Sequence, residues 1–125
     1  MIEVEKFYSG RIYNILALNV SGKCLVQNFI NKLDESDKKK TLRLLTRTAD
    51  NGLYINEEKF RKIKGEDLWE FKSDQVRIFC FFDKGRIIIL SNGFVKKSAK
   101  TPKNQIEKAK RLLTKYYQWK EKNES

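Results

Sequence analysis

Residues 68–100 read LWEFKSDQVRIFCFFDKGRIIILSNGFVKKSAK in one-letter code. This stretch is rich in β-branched and aromatic residues, and short apolar runs between polar breaks are typical of strands. Three such runs, at 68–72, 76–82 and 86–95, are separated by the polar residues 73–75 and 83–85. Because both breaks are short and turn-like, the stretch predicts three consecutive antiparallel strands.

Arg77 lies inside the second run, which is otherwise apolar. Successive side chains of a strand point to opposite faces of the sheet. One face is therefore predicted to carry Val76, Ile78, Cys80 and Phe82, and the other Arg77, Phe79 and Phe81. Because an unpaired charge in a core is costly, Arg77 needs a partner or a cleft. Two interpretations stay open: an ion pair with Glu70 on the neighbouring strand, or an anion-binding arginine at the centre of a site.

The composition bounds the class of protein. A chain of 125 residues predicts one domain, spanning 1–125. No apolar stretch approaches the ~20 residues that a membrane span requires, and the N-terminus lacks a signal-peptide pattern. We therefore expect a cytoplasmic protein without a membrane partner.

The chain contains no histidine and only two cysteines, Cys24 and Cys80, which fall in apolar segments. Both are predicted to be buried free thiols. Without histidine or clustered cysteines, a transition-metal site has too few ligands, and histidine-based acid–base chemistry is excluded. The sequence thus predicts neither a metal nor a cofactor.

Basic residues exceed acidic ones by 27 to 16, and the excess is uneven along the chain. Residues 1–58 hold nine basic and eight acidic residues, a net charge of +1, whereas residues 59–125 hold 18 and eight, a net charge of +10. A surplus confined to the half that contains the predicted strands suggests a surface that faces a polyanion.

The first half predicts one strand and two helices. Alternating apolar positions indicate a strand at 12–19, and apolar residues at helical intervals indicate a helix at 22–32. Residues 34–37, Asp-Glu-Ser-Asp, carry N-cap residues and acids ahead of a second helix, which Asn51-Gly52 would end. Its basic side chains are predicted to be a solvated face rather than a binding site: Lys38, Lys39, Lys40, Arg43 and Arg47.

Around the predicted strands, two further segments are assigned. Residues 54–64 lack periodicity and predict a basic loop, which is a common location for function. Thr101 as cap and Pro102 as first helical residue predict a helix over 102–119. Residues 120–125 are predicted to be frayed.

The motifs LWEF, VRIFCFF, GFVKKSAKTP and IEKAK resemble the HigB branch of the RelE/ParE toxin superfamily, especially its phage-derived group. The similarity covers residues 60–117, and residues 93–102 are its most specific part. It implies an α+β fold in which a twisted antiparallel sheet packs against N-terminal helices and a C-terminal helix. It also implies a toxin of a type II toxin–antitoxin pair that cleaves mRNA on the ribosome, and a helix-turn-helix antitoxin as partner.

The resemblance also implies site residues. Arg77 and the lysines after the last strand correspond to residues that contact the RNA backbone in the family. The candidate catalytic residues are Arg77, Lys96 and Lys97, and the candidate RNA-binding residues are Lys62, Lys100 and Lys103. The chain departs from the family at Asn92, where histidine is common, and at Gln105, where glutamate is common.

Cleavage without histidine is chemically reasonable. A lysine that is desolvated or crowded by other cations has a lowered pKa and can act as a base, while Arg77 can hold two phosphate oxygens. Two other classes stay open: a gyrase-inhibiting toxin of the same superfamily, and an RNA-binding protein that does not cut.

Overall fold

The computed structural model describes residues 1–124, which form a seven-stranded sheet with helices on both faces. The strands are β1 (Ile2–Ser9), β2 (Asn14–Val20), β3 (Lys23–Cys24), β4 (Phe60–Lys62), β5 (Trp69–Ser73), β6 (Val76–Asp83) and β7 (Ile87–Val95). The helices are α1 (Leu25–Asn31), α2 (Glu35–Asn51) and α3 (Lys103–Glu124).

The strands lie in the order β1-β2-β7-β6-β5-β4, and the short β3 pairs with β2. Strands β4 to β7 form antiparallel neighbours, which confirms the three strands predicted from residues 68–100. The α+β class is also confirmed. The sheet departs from the antiparallel pattern at one place, where β2 pairs with β7 in parallel. Two helices and four strands lie between these two strands in the chain, so β7 arrives alongside β2 in the same direction.

Each face of the sheet carries its own hydrophobic core. On one face, α1 and α2 cover a cluster that includes Ile78, Cys80 and Leu90. On the other, α3 covers a cluster that includes Phe79 and Phe81. The predicted alternation along β6 is thus confirmed, and it explains why this strand reads as a continuous apolar run.

A β-bulge interrupts the pairing of β6 with β7. Ile78 pairs with Gly93 and Cys80 with Leu90, so two residues, Ser91 and Asn92, lie opposite Phe79 alone. In a regular strand, residues an even number of positions from Leu90 would lie on the same face as Leu90. The extra residue shifts this alternation, so after the bulge these residues lie on the opposite face. Phe94 therefore shares the α3 face with its partner Arg77.

The N-terminal elements were partly anticipated. The predicted strand at 12–19 is β2, but β1 and the short β4 were missed, the latter inside the predicted basic loop. The first helix begins only at Leu25, because the preceding two residues pair with β2. The N-cap of α2 falls at Asp34, the first of the four predicted residues, whose side chain accepts a hydrogen bond from the Asp37 amide, so the helix already includes residues 35–37. The predicted stop is confirmed, since Gly52 follows α2 at φ 104°.

The C-terminal helix differs from the prediction at both ends. The Pro102 carbonyl accepts bonds from the amides of Gln105 and Ile106, and the buried Thr101 hydroxyl has no hydrogen-bond partner, so the threonine cap was wrong. The expected fraying was also wrong for residues 120–124, since α3 continues to Glu124, and residue 125 lies outside the described residues. A reason is that Lys120 bonds both carboxylate oxygens of Asp83, at 2.7 and 2.8 Å.

Asp83 links the end of β6 to α3, because Tyr116 also donates a hydrogen bond to its carboxylate. Burial alone would raise the pKa of Asp83, but the bonds from Lys120 and Tyr116 outweigh it, so this pKa lies below its ordinary value.

Replacing Asp83 with asparagine should therefore lower the free energy of unfolding by about 1–3 kcal/mol at neutral pH. Because the pKa of Asp83 is lower in the folded state, its ionised carboxylate contributes stability above the unfolded-state pKa of about 4. This contribution is lost as the pH falls through the folded-state pKa. Urea denaturation of both proteins should show their difference shrinking below about pH 4. The exposed Asp67, changed to asparagine, is the control. A difference that stays constant with pH would contradict this account of Asp83.

Gly93 allows α1 to pack directly on the sheet. A Cβ atom placed on Gly93 would lie 2.5 Å from Cδ2 of the Phe29 ring. Such a distance is far inside van der Waals contact, so a side chain here would displace the ring from the core.

We expect Gly93→Ala to destabilise the protein by about 1–3 kcal/mol through overpacking. In a Phe29→Leu background the smaller side chain leaves room, and the same substitution should cost less. A double-mutant cycle by urea denaturation measures this coupling. Additive effects of the two substitutions would show that the ring does not limit residue 93.

Candidate functional site

Four basic side chains gather on the α3 face of the sheet, near the end of β5, and we call them the cationic cluster: Arg61, Lys72, Arg77 and Lys96. Strand pairing brings them together. Arg61 on β4 lies opposite Glu70 on β5, and Lys72 lies opposite Arg77 on β6. Paired residues on antiparallel strands point to the same face, so these side chains are neighbours around Glu70.

Glu70 is fully buried and is the acidic member of this group. Its Oε1 accepts a bond of 3.0 Å from Nε of the half-buried Arg61, whereas its Oε2 has no hydrogen-bond partner. An ion pair between Arg77 and Glu70, one of the two interpretations of Arg77 that the sequence left open, is therefore not formed. Arg61, on the strand that the sequence did not reveal, takes that position instead.

Arg77 is buried, with 7% of its surface exposed. Its Nη1 donates to the carbonyl oxygens of Asp74 and Val76, at 2.6 and 3.0 Å, and its Nε has no partner. Desolvation lowers the pKa of Arg77, the nearby Glu70 opposes this and Arg61 adds to it. The guanidinium thus fastens the turn between β5 and β6, and its Nη1 is already used by the backbone.

Lys72 has the electrostatic surroundings of a potential base. Its pKa is lowered first by burial, then by repulsion from Arg61 and Arg77 and, more weakly, Lys96, while Glu70 opposes the shift. Its Nζ donates a 3.1 Å bond to the Glu57 carbonyl, which holds the side chain beside the loop before β4. The condition that the sequence suggested for a lysine base is met here, at a residue that was not among the candidates.

Of the adjacent lysines after β7, the structure brings Lys96 to the cluster. The β7 bulge sets Phe94 on the α3 face, and alternation sends Lys96 to the same side. Its amide continues the ladder by donating to the Gln75 carbonyl at 2.7 Å. Lys97 is exposed and, by the same alternation, points away from Arg77.

The three candidate RNA-binding lysines do not join the cluster. Lys62 is exposed and lines a cleft of about 850 Å³ together with Tyr117 and Gln118 of α3. Lys100 is exposed in the loop before α3, and Lys103 is exposed at the start of that helix. Their assignment to RNA contacts stays a prediction.

The two positions at which the chain departs from the family pattern contact each other. Nδ2 of the buried Asn92 donates to Oε1 of Gln105 at 3.2 Å, and the Ser91 hydroxyl donates to Oδ1 of Asn92 at 2.8 Å. The bulged part of β7 is thus tied to the first turn of α3 through neutral groups. Neither amide carries a charge, so this contact contributes no acid or base.

Three other features of residues 1–124 concern metal ligands, thiols and membrane spans. Within that range no group of three or more His, Cys, Asp or Glu side chains is arranged to hold a metal ion. Both cysteines are free, as predicted, but Cys24 is only half-buried. Burial raises the pKa of the Cys80 thiol, which makes this cysteine unreactive. Over the same residues no helix is both long and apolar enough to cross a bilayer.

Sequence reasoning missed Arg61 and Lys72. The tripeptide Phe60-Arg61-Lys62 is too short to give a strand signal, so the partner of Glu70 could not be found. Lys72 had a usable signal, because it lies two residues after Glu70 and shares its face. Applying the alternation to the first run as well as the second would have identified it.

Comparison with known proteins agrees with the fold. The family model described as phage-derived protein Gp49-like (DUF891) matches residues 28–114, more than half of the chain. The chain belongs to the Gp49-like family. This family is toxin-like and of the RelE kind, so the resemblance to a phage-derived group of such toxins is confirmed at that level. A search of curated proteins gives no match to this Gp49-like chain.

Arg77→Ala should lower the free energy of unfolding by about 1–3 kcal/mol, because it removes the bonds that hold the β5–β6 turn. Urea denaturation measures the change. The matched control is Arg86→Ala, since Arg86 is exposed in the β6–β7 turn and is expected to change stability little. Equal stabilities of the two variants would show that the turn does not depend on the Arg77 guanidinium.

Proposed function

We propose that this Gp49-like protein is a HigB-type toxin of the RelE superfamily, an endoribonuclease that cuts mRNA without a metal ion. The observation that supports this proposal most directly is the cationic cluster, in which Lys72 combines a lowered pKa with neighbouring cations. Phosphate chemistry requires charge stabilisation together with a proton acceptor, and this cluster offers both.

The reaction that suits these residues is an internal transfer on RNA. The 2′-hydroxyl loses its proton and its oxygen bonds to the adjacent phosphorus, while the bond from phosphorus to the 5′-oxygen breaks and that oxygen gains a proton. The products are a 2′,3′-cyclic phosphate and a 5′-hydroxyl end. No water, oxidant or metal is consumed in this step.

We assign the roles by charge and accessibility. Neutral Lys72 accepts the proton of the 2′-hydroxyl, because its lowered pKa increases the fraction without a proton. Lys96, half-buried on the same face, stabilises the charge that develops on the phosphate and can supply a proton to the leaving oxygen. Burial lowers the pKa of Lys72 most, and the charges of Arg61 and Arg77 lower it further. The buried carboxylate of Glu70, which Arg61 bonds, partly compensates the positive charge of these neighbours.

The remaining sequence predictions form part of the proposal. The antitoxin is a helix-turn-helix protein with an acidic segment that matches the basic toxin, and the toxin acts in the cytoplasm on translating ribosomes. Lys97, Lys100, Lys103 and Lys62 then contact the RNA or the ribosome outside the cluster.

The test separates a base from a simple cation at position 72. Lys72→Arg keeps the charge but cannot lose its proton near neutral pH, so cleavage should fall by a factor of about 10²–10⁴. Binding of a 2′-O-methyl RNA, which lacks the attacking hydroxyl, should stay within about twofold, since phosphate contacts depend on charge. Cleavage is followed on a labelled RNA with and without translating ribosomes, and the 5′-hydroxyl ends are identified.

The matched control is Lys84→Arg, at an exposed lysine in the turn at the far end of β6. For the unaltered protein the rate should rise with pH until Lys72 is neutral, and this rise should vanish in Lys72→Arg. Full activity of Lys72→Arg would contradict the role of this lysine. Absence of RNA cleavage by the unaltered protein, combined with inhibition of gyrase supercoiling, would replace the proposed function by the gyrase-directed one.

A further inference from the structure

A second basic surface lies on the opposite face of the sheet, between α2 and the β5–β6 turn. It is a groove of about 410 Å³, which we call the α2 groove. Its basic lining residues are Lys40, Arg43, Arg47 and Lys59, with Tyr54 and Asp74 beside them. The first three are spaced by three and four residues, so they follow one side of the helix.

The positive charge of the α2 groove is largely uncompensated. Asp74 is its acidic lining residue, and that carboxylate pairs with Lys40 at 3.0 Å. Within residues 1–124, Arg43, Arg47 and Lys59 form no ion pair. Unpaired like charges that converge on one groove repel each other, so an anionic ligand would relieve the repulsion.

The α2 groove and the cationic cluster share one wall, the turn between β5 and β6. The Asp74 side chain bonds Lys40 of the groove, while its carbonyl accepts from Arg77 of the cluster. The Lys59 carbonyl accepts from the Lys72 amide at 2.8 Å, which joins the groove to the cluster a second time. A polyanion that crosses this edge of the sheet can therefore contact both surfaces.

We infer that the α2 groove binds the sugar–phosphate backbone of single-stranded RNA, continuing the path of the strand that the cationic cluster cuts. This inference rests on the proposed function for the identity of the polyanion. Arginine side chains suit phosphate oxygens, and Tyr54, which packs against the core beneath α1 and α2, lines the same groove with the part of its side chain that stays exposed, where it can contact a base. The sequence predicted an ordinary solvated face for the basic side chains of α2. In the structure, three of them instead line a groove together with Lys59, which precedes β4.

The experiment measures binding of a 2′-O-methyl single-stranded RNA to the full chain over a range of salt concentrations. The double variant Arg43→Ala/Arg47→Ala should bind at least about tenfold more weakly. The negative slope of log affinity against log salt should become shallower by about 1.4, which is about 0.7 for each of the two phosphates that the variant no longer neutralises. The matched control is Lys32→Ala/Lys39→Ala, which removes two exposed charges outside the groove. Equal weakening in both double variants would mean that only net charge matters, and it would overturn the inference.

A cleavage assay distinguishes the two proposals. If the unaltered protein cuts RNA but the groove variant binds RNA as the control does, the groove inference fails and the proposed function stands. If the groove variant no longer binds RNA although the unaltered protein never cuts, the groove stands and the nuclease fails. Loss of binding to an Asp/Glu-rich peptide, with RNA binding unchanged, would assign the groove to an acidic protein segment and overturn the inference.

Discussion

The carboxylate of Glu70 is completely buried within the sheet, and one of its oxygens accepts a hydrogen bond from Arg61. A buried carboxylate is tolerated only when cations and donors compensate it. Here the compensation also holds β4 against β5, because Arg61 and Glu70 are paired in the ladder. The negative charge of Glu70 also offsets part of the repulsion between Arg77 and Lys72, which are paired across β5 and β6. Without it, the cationic cluster would be a set of repelling charges on a hydrophobic sheet.

The β5–β6 turn is the other element on which the basic surfaces depend. In this turn the Asp74 carboxylate accepts a hydrogen bond from Lys40 of α2, and the Asp74 carbonyl accepts one from Arg77 of β6. One residue thus joins α2 to the sheet. Asp74 adopts φ 52°, a conformation that asparagine and aspartate tolerate better than most residues. Such a turn places positive charge on both faces of the sheet edge. Proteins accept strained turns and crowded like charges at functional sites, where they reduce stability in exchange for binding.

The fold agrees with what the strand pattern predicted, and the Gp49-like family agrees with the resemblance carried by the motifs, but the structure brings the candidate site residues together only in part. Arg77 was identified from a single charge in an apolar run, and the structure places it among basic neighbours. The partner considered for it, Glu70, is bonded by Arg61 instead, which the sequence did not reveal because Arg61 lies on a strand of three residues that carries no pattern of its own. Lys72 was overlooked, although its position relative to Glu70 follows from simple alternation. The helix caps show the same division: Asp34 acts as its residue type predicts, whereas the Thr101 hydroxyl is buried without a hydrogen-bond partner.

The sequence by itself determined the central strands, the three helices and the excess of positive charge, because periodicity and residue type are local properties. It also determined that Arg77 would lie on the face opposite Ile78. Only the tertiary structure decided which lysine joins Arg77. One extra residue in β7, at Ser91 and Asn92, turns Lys96 toward the α3 face and Lys97 away from it. A bulge depends on how two strands pair, which the sequence of one strand alone does not reveal. Strand pairing, rather than the motif at residues 93–102, therefore decides which lysine lies beside Arg77.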